Sequence, residues 1–192
     1  MHYLDWPALL TARCRLRPFR EGDLPVFAAY RADPAVAALQ SWDTGYALAD
    51  AQRLWRGMCA EPFGQVGQWV QIALAGRDDD RLLGDFALHF IDEQQVEIGF
   101  SLAPAQQGQG LALEGLRALL GHLFGERACH RVIAVTDVRN TAAAKLLRRA
   151  GFREEGCQRE ATWFKGAWCD EWLFAMLAGE WPGAAGGPLP AG

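Results

Sequence analysis

The chain has 192 residues, about half of them apolar and 22% charged, which suits one globular domain with a real core. Its net charge of −4 argues against general nucleic-acid binding, because neutralising phosphate needs a basic face. No apolar run approaches the roughly 20 residues that cross a bilayer, so no membrane partner is expected.

The opening Met1-His2-Tyr3-Leu4-Asp5 has neither a positive n-region nor an apolar h-region and reads as no secretory signal. Arg13 to Phe19 has period-two character and predicts a first strand. Asp23 then stands as a helix N-cap before Leu24-Pro25, with Val26, Phe27 and Tyr30 as the apolar stripe. Leu48, Ala51, Leu54, Trp55 and Met58 recur at helical spacing and predict a second helix. After that the period changes. Trp69–Leu74, Leu82–Ile91 and Val96–Leu102 read as three strands with short polar links, an antiparallel meander.

Pro104 ends the meander, and a glycine loop leads into a helix from about Gly110 to Phe124. Ala112, Leu116, Leu119, Leu120 and Leu123 give that helix one apolar face. Arg131 to Thr136 is a further strand. Asn140 caps a helix carrying Ala143, Leu146, Leu147 and Ala150, which closes at Gly151 as a C′ glycine. Two strands, Gly156–Phe164 and Trp168–Leu177, finish the chain around Lys165-Gly166-Ala167. With no internal repeat and no linker, this order implies a single domain over residues 10–182 built on one mixed α/β sheet. Residues 183–192, which are Gly, Ala, Pro and one Leu, read as a flexible tail.

Five cysteines (Cys14, Cys59, Cys129, Cys157, Cys169) are scattered and show no C-x-x-C spacing. That pattern predicts neither a disulfide framework nor a metal site, and points to reduced thiols in a cytoplasmic protein. Cys129 stands beside His130 in sequence only, so buried thiols are expected in place of a covalent nucleophile.

The segment Gln107-Gly108-Gln109-Gly110-Leu111-Ala112 carries the sharpest chemistry. Gly108 and Gly110 let backbone approach a ligand without an intervening Cβ. The free N–H groups of the helix's first turn, at its positive dipole end, then face an anion. A Rossmann reading fails, because Leu113 stands where the third glycine belongs and the loop follows a meander. Gln107-x-x-Gly110-x-Ala112 resembles the Gln/Arg-x-x-Gly-x-Gly/Ala signature of the GCN5-related N-acetyltransferases (GNAT). Asn140 through Gly151-Phe152 resembles the family's second motif. Leu16-Arg17-Pro18, Arg159-Glu160, the Gly166 turn, Asp170 and Glu180-Trp181 look like its RimJ/RimL-like branch. The resemblance covers roughly residues 13 to 182.

That resemblance implies a GNAT-like, mostly antiparallel mixed sheet with one splayed strand pair, flanked by helices. It implies acetyl-CoA as co-substrate in the splay between Val96–Leu102 and Arg131–Thr136. The pantetheine arm would pair with backbone at Phe100, Ser101 and Leu102, and the pyrophosphate would sit on Gln107, Gly108, Gln109, Gly110, Leu111 and Ala112. The Leu102 N–H would donate to the thioester carbonyl, where negative charge develops. Asn140 would meet the cofactor as well as cap its helix.

Direct attack needs a neutral amine, and an α-amino group titrates near ~8, so a base must take a proton. Glu97 is the candidate: Val96, Ile98 and Phe100 share one strand face, which leaves Glu97, Gly99 and Ser101 on the other. A glutamate on a solvated sheet face is the alternative. Where many family members carry a tyrosine that protonates the leaving thiolate, this chain has Leu147, so water or another group must serve, or thiolate leaves as such. His89 is read as a core or surface histidine, with a position facing the cleft as the alternative. The acceptor wall would draw on Trp42, Tyr46 and Trp55 from one side and Trp163, Phe164 and Trp168 from the other. Core packing or contact with a second copy in a homodimer is the alternative use of these aromatics. Lys145, Arg148, Arg149 and Arg153 read as a solvated helix face; contact of one of them with the 3′-phosphate of CoA is the alternative.

The reading is thus an N-acetyltransferase acting on a protein N-terminal or small-molecule primary amine. A non-catalytic acyl-CoA-binding sensor and a transferase of another acyl group, such as succinyl, are the alternatives.

Overall fold

The computed structural model describes residues 1–185. Eight strands form one sheet in the order β1-β2-β3-β4-β5-β6-β8-β7. They are β1 (Leu9–Leu10), β2 (Cys14–Pro18), β3 (Trp69–Gly76), β4 (Leu82–Phe90), β5 (Gln95–Leu102), β6 (Arg131–Asp137), β7 (Arg153–Phe164) and β8 (Ala167–Leu177). Every neighbouring pair is antiparallel except β5 and β6. The helices are α1 (Leu24–Arg31), α2 (Pro34–Ala37), α3 (Leu48–Ala60), α4 (Leu111–Gly121) and α5 (Thr141–Ala150).

The predicted meander is present as β3, β4 and β5, and its alternation divides the two faces. Val70, Ile72 and Leu74 of β3, with Phe86 and Leu88 of β4 and Val96 and Ile98 of β5, join the buried side chains of α4 in the main core. Gly115 brings α4 close onto this face: a Cβ there would lie 2.8 Å from Leu74 Cδ1 and 3.0 Å from Phe86 Cε2. On the opposite face, Ala73 joins Phe19, Leu24, Phe27, Tyr30 and Ala51 in a second cluster under α1 and α3. Beyond that cover the same face continues as Gln71, Ala87, Gly99 and Glu97, and there it lines a cavity.

Several expectations change. Asp23 does not cap α1; its carboxylate takes Arg17 Nη1 and Nη2 at 2.6 and 3.0 Å and the Arg20 N–H at 2.7 Å. A buried guanidinium near the end of a strand needs a partner more than a helix start does. The chain is packed well before residue 10: Tyr3 and Trp6 are buried, and Tyr3 Oη donates to the Gln71 carbonyl and accepts from the Phe19 N–H, both at 2.7 Å. The loop helix is α-helical only to Gly121 and continues as a π-helical turn over His122–Glu126. β7 begins at Arg153, three residues earlier than expected. The last turn is two residues long: Lys165 and Gly166 both have positive φ (49° and 84°), the signature of a type I′ hairpin. Pro182–Ala185 forms a short 3-10 turn, so the packed chain runs past 182, and the remainder of the expected tail, 186–192, lies outside the described residues. Among the described residues no helix is long and apolar enough to cross a membrane.

Candidate active site

The parallel ladder between β5 and β6 holds for only three residue pairs, ending at Glu97 opposite Ile133. Beyond it the strands part. The antiparallel ladder on the other side of β5 fixes which backbone groups face the gap. Ala103 N–H donates to the Leu83 carbonyl at 2.9 Å and Ile91 N–H to Gln95 at 3.0 Å, with unbroken register between. The two-residue alternation therefore turns the N–H groups of Ser101 and Gly99 toward β4, and those of Phe100 and Leu102 into the gap. The Leu102 carbonyl is already taken by Gln107 Nε2 at 3.1 Å, which leaves its N–H free. Gly84 allows the close approach on the far side, since a Cβ there would meet the Ser101 oxygen at 2.3 Å.

The gap leads to the loop before α4. Gly108 and Gly110 have φ of 73° and 79°, and Gly110 is the left-handed N-cap of α4. Glu114 N–H is the first to enter the helix ladder, at 3.1 Å from the Gly110 carbonyl. Among the described residues none of the N–H groups from Gly108 to Leu113 has a protein partner. Gln107 to Gly110 are exposed, while the side chains of Leu111 and Ala112 are buried. The turn before β2 straps this loop down. Glu114 takes Thr11 Oγ1 at 2.6 Å and both the N–H and the Nε of Arg13 at 2.7 Å, and Arg13 Nη1 holds the Gln109 carbonyl at 3.0 Å. Burial alone would raise the Glu114 carboxyl, but these hydrogen bonds overturn that and hold it below the usual range.

The splay itself opens onto a cavity of about 440 Å³, whose wall includes Ile98 and Phe100 of β5 and Ala134 and Val135 of β6. Its floor is Glu97, Gly99 and Ser101 of β5 with Asp85 and Ala87 of β4 and Gln71 of β3. Arg31 and Trp42 close one side, and Thr136, Asn140 and Leu147 the other. The loop 107–112 and Leu102 are not part of this wall. Glu97 is three-quarters buried and faces His89, its cross-strand neighbour, with Nδ1 3.6 Å from Oε2; the His89 ring stacks on Trp69 at 4.9 Å. The carboxylate is therefore on a half-dry floor, not on a solvated face. Asn140 Oδ1 accepts the Ala143 N–H at 3.1 Å as the cap of α5, and the residue also lines the cavity.

Trp42 lines the cavity, and Trp163 does not. Alternation along β7 turns Thr162 and Phe164 inward and leaves Trp163 61% exposed at the hairpin tip, packed edge-on against Trp168. Tyr46 packs at a tilt against Trp42, and Trp55 spends its indole N–H on the Phe19 carbonyl at 3.1 Å. Lys165 draws the hairpin toward the other wall, donating to the carbonyls of Ala37 and Trp42 at 2.5 and 2.9 Å. Of the expected basic set, Arg148 pairs with Glu154, and Arg153 with Glu155 and Glu180. Burial pushes the thiols of Cys129 and Cys169 up, which keeps them protonated, whereas Cys157 is exposed. Sequence reasoning passed over Asp85, Arg31 and Gln71, because each is a single polar residue inside a segment read for its apolar pattern.

The sequence profile of the acetyltransferase (GNAT) domain matches residues 13–153. The chain belongs to the GNAT family. This GNAT chain is 32% identical over 106 residues to the Bacillus subtilis N-acetyltransferase YnaD, a match covering 55% of the chain and 62% of that protein. It is 32% identical over 84 residues to the Escherichia coli ribosomal protein uS5-alanine N-acetyltransferase, covering 44% of the chain and 43% of that protein. The matches thus span less than two thirds of these relatives. Among solved structures, Mycobacterium smegmatis RimJ in complex with CoA-disulfide superposes with a TM-score of 0.79 at 24% identity, covering 97% of this chain and 98% of that one. A GNAT acetyltransferase from Bacillus anthracis gives 0.81 at 22% identity, covering 90% and 99%. These likenesses show the fold: a mostly antiparallel sheet with one parallel, splayed pair.

Proposed function

We propose that the protein is an N-acetyltransferase that moves an acetyl group from acetyl-CoA to a primary amine, either a polypeptide N-terminus or a small amine, within one ternary complex. The observation that carries this reading is the continuity of unpaired backbone donors from the strand gap to the helix end. Phe100 and Leu102 N–H groups face the gap, and the six N–H groups from Gly108 to Leu113 stand free around two left-handed glycines. A pantetheine amide and a pyrophosphate fit that series, the first as an added strand and the second as an anion at a helix start. Arg13, paired with Glu114, reaches the Gln109 carbonyl and holds the loop in shape.

Acetyl-CoA supplies an activated acyl carbonyl and a thiol leaving group. The chain's own residues do the rest. Phe100 and Leu102 orient the arm, and the Leu102 N–H is placed to stabilise charge on the acyl oxygen. Glu97 takes a proton from the incoming ammonium, with His89 Nδ1 beside it on the cavity floor at 3.6 Å. Asn140 offers its amide N–H groups to the cofactor while its oxygen accepts the cap bond. Leu147, buried in the wall, offers no proton to the departing sulfur, so thiolate leaves as such or takes its proton from solvent.

The test is release of free thiol when the protein meets acetyl-CoA and a panel of amines. Turnover of any amine supports the reading. Tight CoA binding with no turnover of any amine or acyl-CoA would make the protein a sensor, the alternative that Leu147 favours.

A further inference from the structure

The cavity carries a second group of buried polar side chains that acyl transfer alone does not require. Asp85 is 2% exposed, Gln71 6% and Arg31 7%, and all three line the wall. Gln71 stands opposite Ala87 in the β3–β4 ladder, which makes Asp85, two residues along, its diagonal neighbour on the same face. Arg31 reaches the same place from the last turn of α1, with Nη2 3.8 Å from Asp85 Oδ2.

Gln71 Oε1 and Arg31 Nε have no hydrogen-bond partner. Both residues are nonetheless held in place. The Gln71 carbonyl accepts from Tyr3 at 2.7 Å and its N–H donates to Met58 Sδ at 3.0 Å. The Arg31 guanidinium lies 3.8 Å from the Trp42 ring centre and 4.4 Å from that of Phe27. Tyr30 donates to Asp85 at 2.5 Å, and burial raises the Asp85 carboxyl above its ordinary range against the pull of Arg31. One fixed donor and one fixed acceptor, both unmet, call for a ligand that brings one of each.

Chemistry separates the candidate ligands. A polyamine brings only cationic donors, so it would leave Arg31 Nε unmet and set a charge beside the guanidinium. A free amino acid brings a carboxylate into the space that already holds Asp85. An uncharged amide brings one N–H and one C=O and no charge. The row holding Glu97 and the row holding Gln71 are adjacent, about 7 Å apart along the strands, and the two residues lie two strands apart, roughly 10 Å across the sheet, so their side chains face the same stretch of floor from opposite corners. Only Ala87 and Gly99 rise from the floor in the second row.

We infer that Gln71 and Arg31 form a specificity subsite for a neutral carboxamide next to the reactive amine of the acceptor. Asp85 and Tyr30 are positioning residues that hold Arg31. The first amide bond of a peptide and the amide of an amino-acid amide share this chemistry.

This inference rests on the acetyl-transfer reading, and its test separates the two. With acetyl-CoA, kcat/KM is measured for alaninamide, a short alanyl peptide amide, isopropylamine and a diamine. Both amides should exceed isopropylamine and the diamine by at least about tenfold, chiefly through KM. Gln71→Leu and Arg31→Lys should each bring that ratio to about threefold or less, with CoA affinity and Tm as controls for folding. A peptide favoured over alaninamide identifies a polypeptide end as the source of the amide, and parity identifies the amide group alone. An undiminished ratio in Gln71→Leu, or a diamine used as well as the amides, overturns the subsite while transfer stands. Calorimetric binding of alaninamide to the CoA complex, without acetylation of any amine, keeps the subsite and overturns transfer.

Discussion

At the α4 end the protein offers backbone: six unpaired N–H groups around two left-handed glycines, strapped by Thr11, Arg13 and Glu114. At the α1 end it offers side chains brought from α1, β3, β4 and β5 to one floor, with Arg31, Gln71, Asp85 and Glu97 around it. The first end suits a ligand that does not vary, since any sequence with the same φ angles makes the same cradle. The second can change its ligand by single substitutions without touching the first. The two ends should therefore fail separately.

The largest expected effect tests that separation directly. Glu97→Gln should lower kcat by about 10²-fold or more and leave the CoA dissociation constant unchanged. Unchanged turnover near neutral pH would remove Glu97 from the role of base. Gly115→Val attacks the seat of the loop helix instead of either end. Its methyls would drive into Leu74 and Phe86, costing roughly 1–3 kcal/mol and several degrees of Tm. If Tm holds, α4 is not fixed by that contact. Gly110→Val forces a β-branched residue into the left-handed region, a penalty of about 1–2 kcal/mol or more, so CoA binding should weaken roughly tenfold or beyond. The acceptor KM at saturating acetyl-CoA should not move, and a parallel rise would merge the two ends.

Smaller effects sharpen the acceptor side. Lys165→Met removes the donor that ties the β7–β8 hairpin to the Ala37 and Trp42 carbonyls. The acceptor KM should rise about threefold with CoA affinity intact. An equal loss of CoA affinity would show that the hairpin serves both ends. The smallest is a pH effect at the sheet edge. Hydrogen bonds from Arg131 and Arg153 hold the Glu155 carboxyl at about 2, below its ordinary value near 4.5. A depressed carboxylate adds stability above its unfolded pKa and loses it as pH falls through the folded one. Wild type should thus unfold at a higher temperature than Glu155→Gln above about pH 4.5, by no more than a few degrees, and the difference should vanish near pH 2. A difference that persists at pH 2 would assign the effect to packing.

What could be read from the sequence follows the same division. The loop, the Asn140 cap and the Gly151 stop are local devices whose residues are adjacent, so spacing reveals them. The meander shows because Val70, Ile72 and Leu74 alternate with the residues of the other face. Glu97 was legible for the same reason. Asp85, Gln71 and Arg31 come together only through strand register and the fold of α1, and nothing in their local sequence pairs them. Trp163 misled because an aromatic in a hairpin carries no mark of which side it faces, and a one-residue step decides that. Asp23 misled because a short-range cap and a buried arginine compete for the same carboxylate, and the arginine lies on another element.

The strap across the loop has a kinetic consequence. Arg13 and Glu114 hold the cradle in its working shape before any anion arrives, so association need not wait for the loop to order. Capture of CoA should then be a single-step encounter whose rate rises linearly with concentration. Rates of roughly 10⁵–10⁷ per molar per second are expected, with differences in affinity between cofactors expressed as differences in how long each one stays.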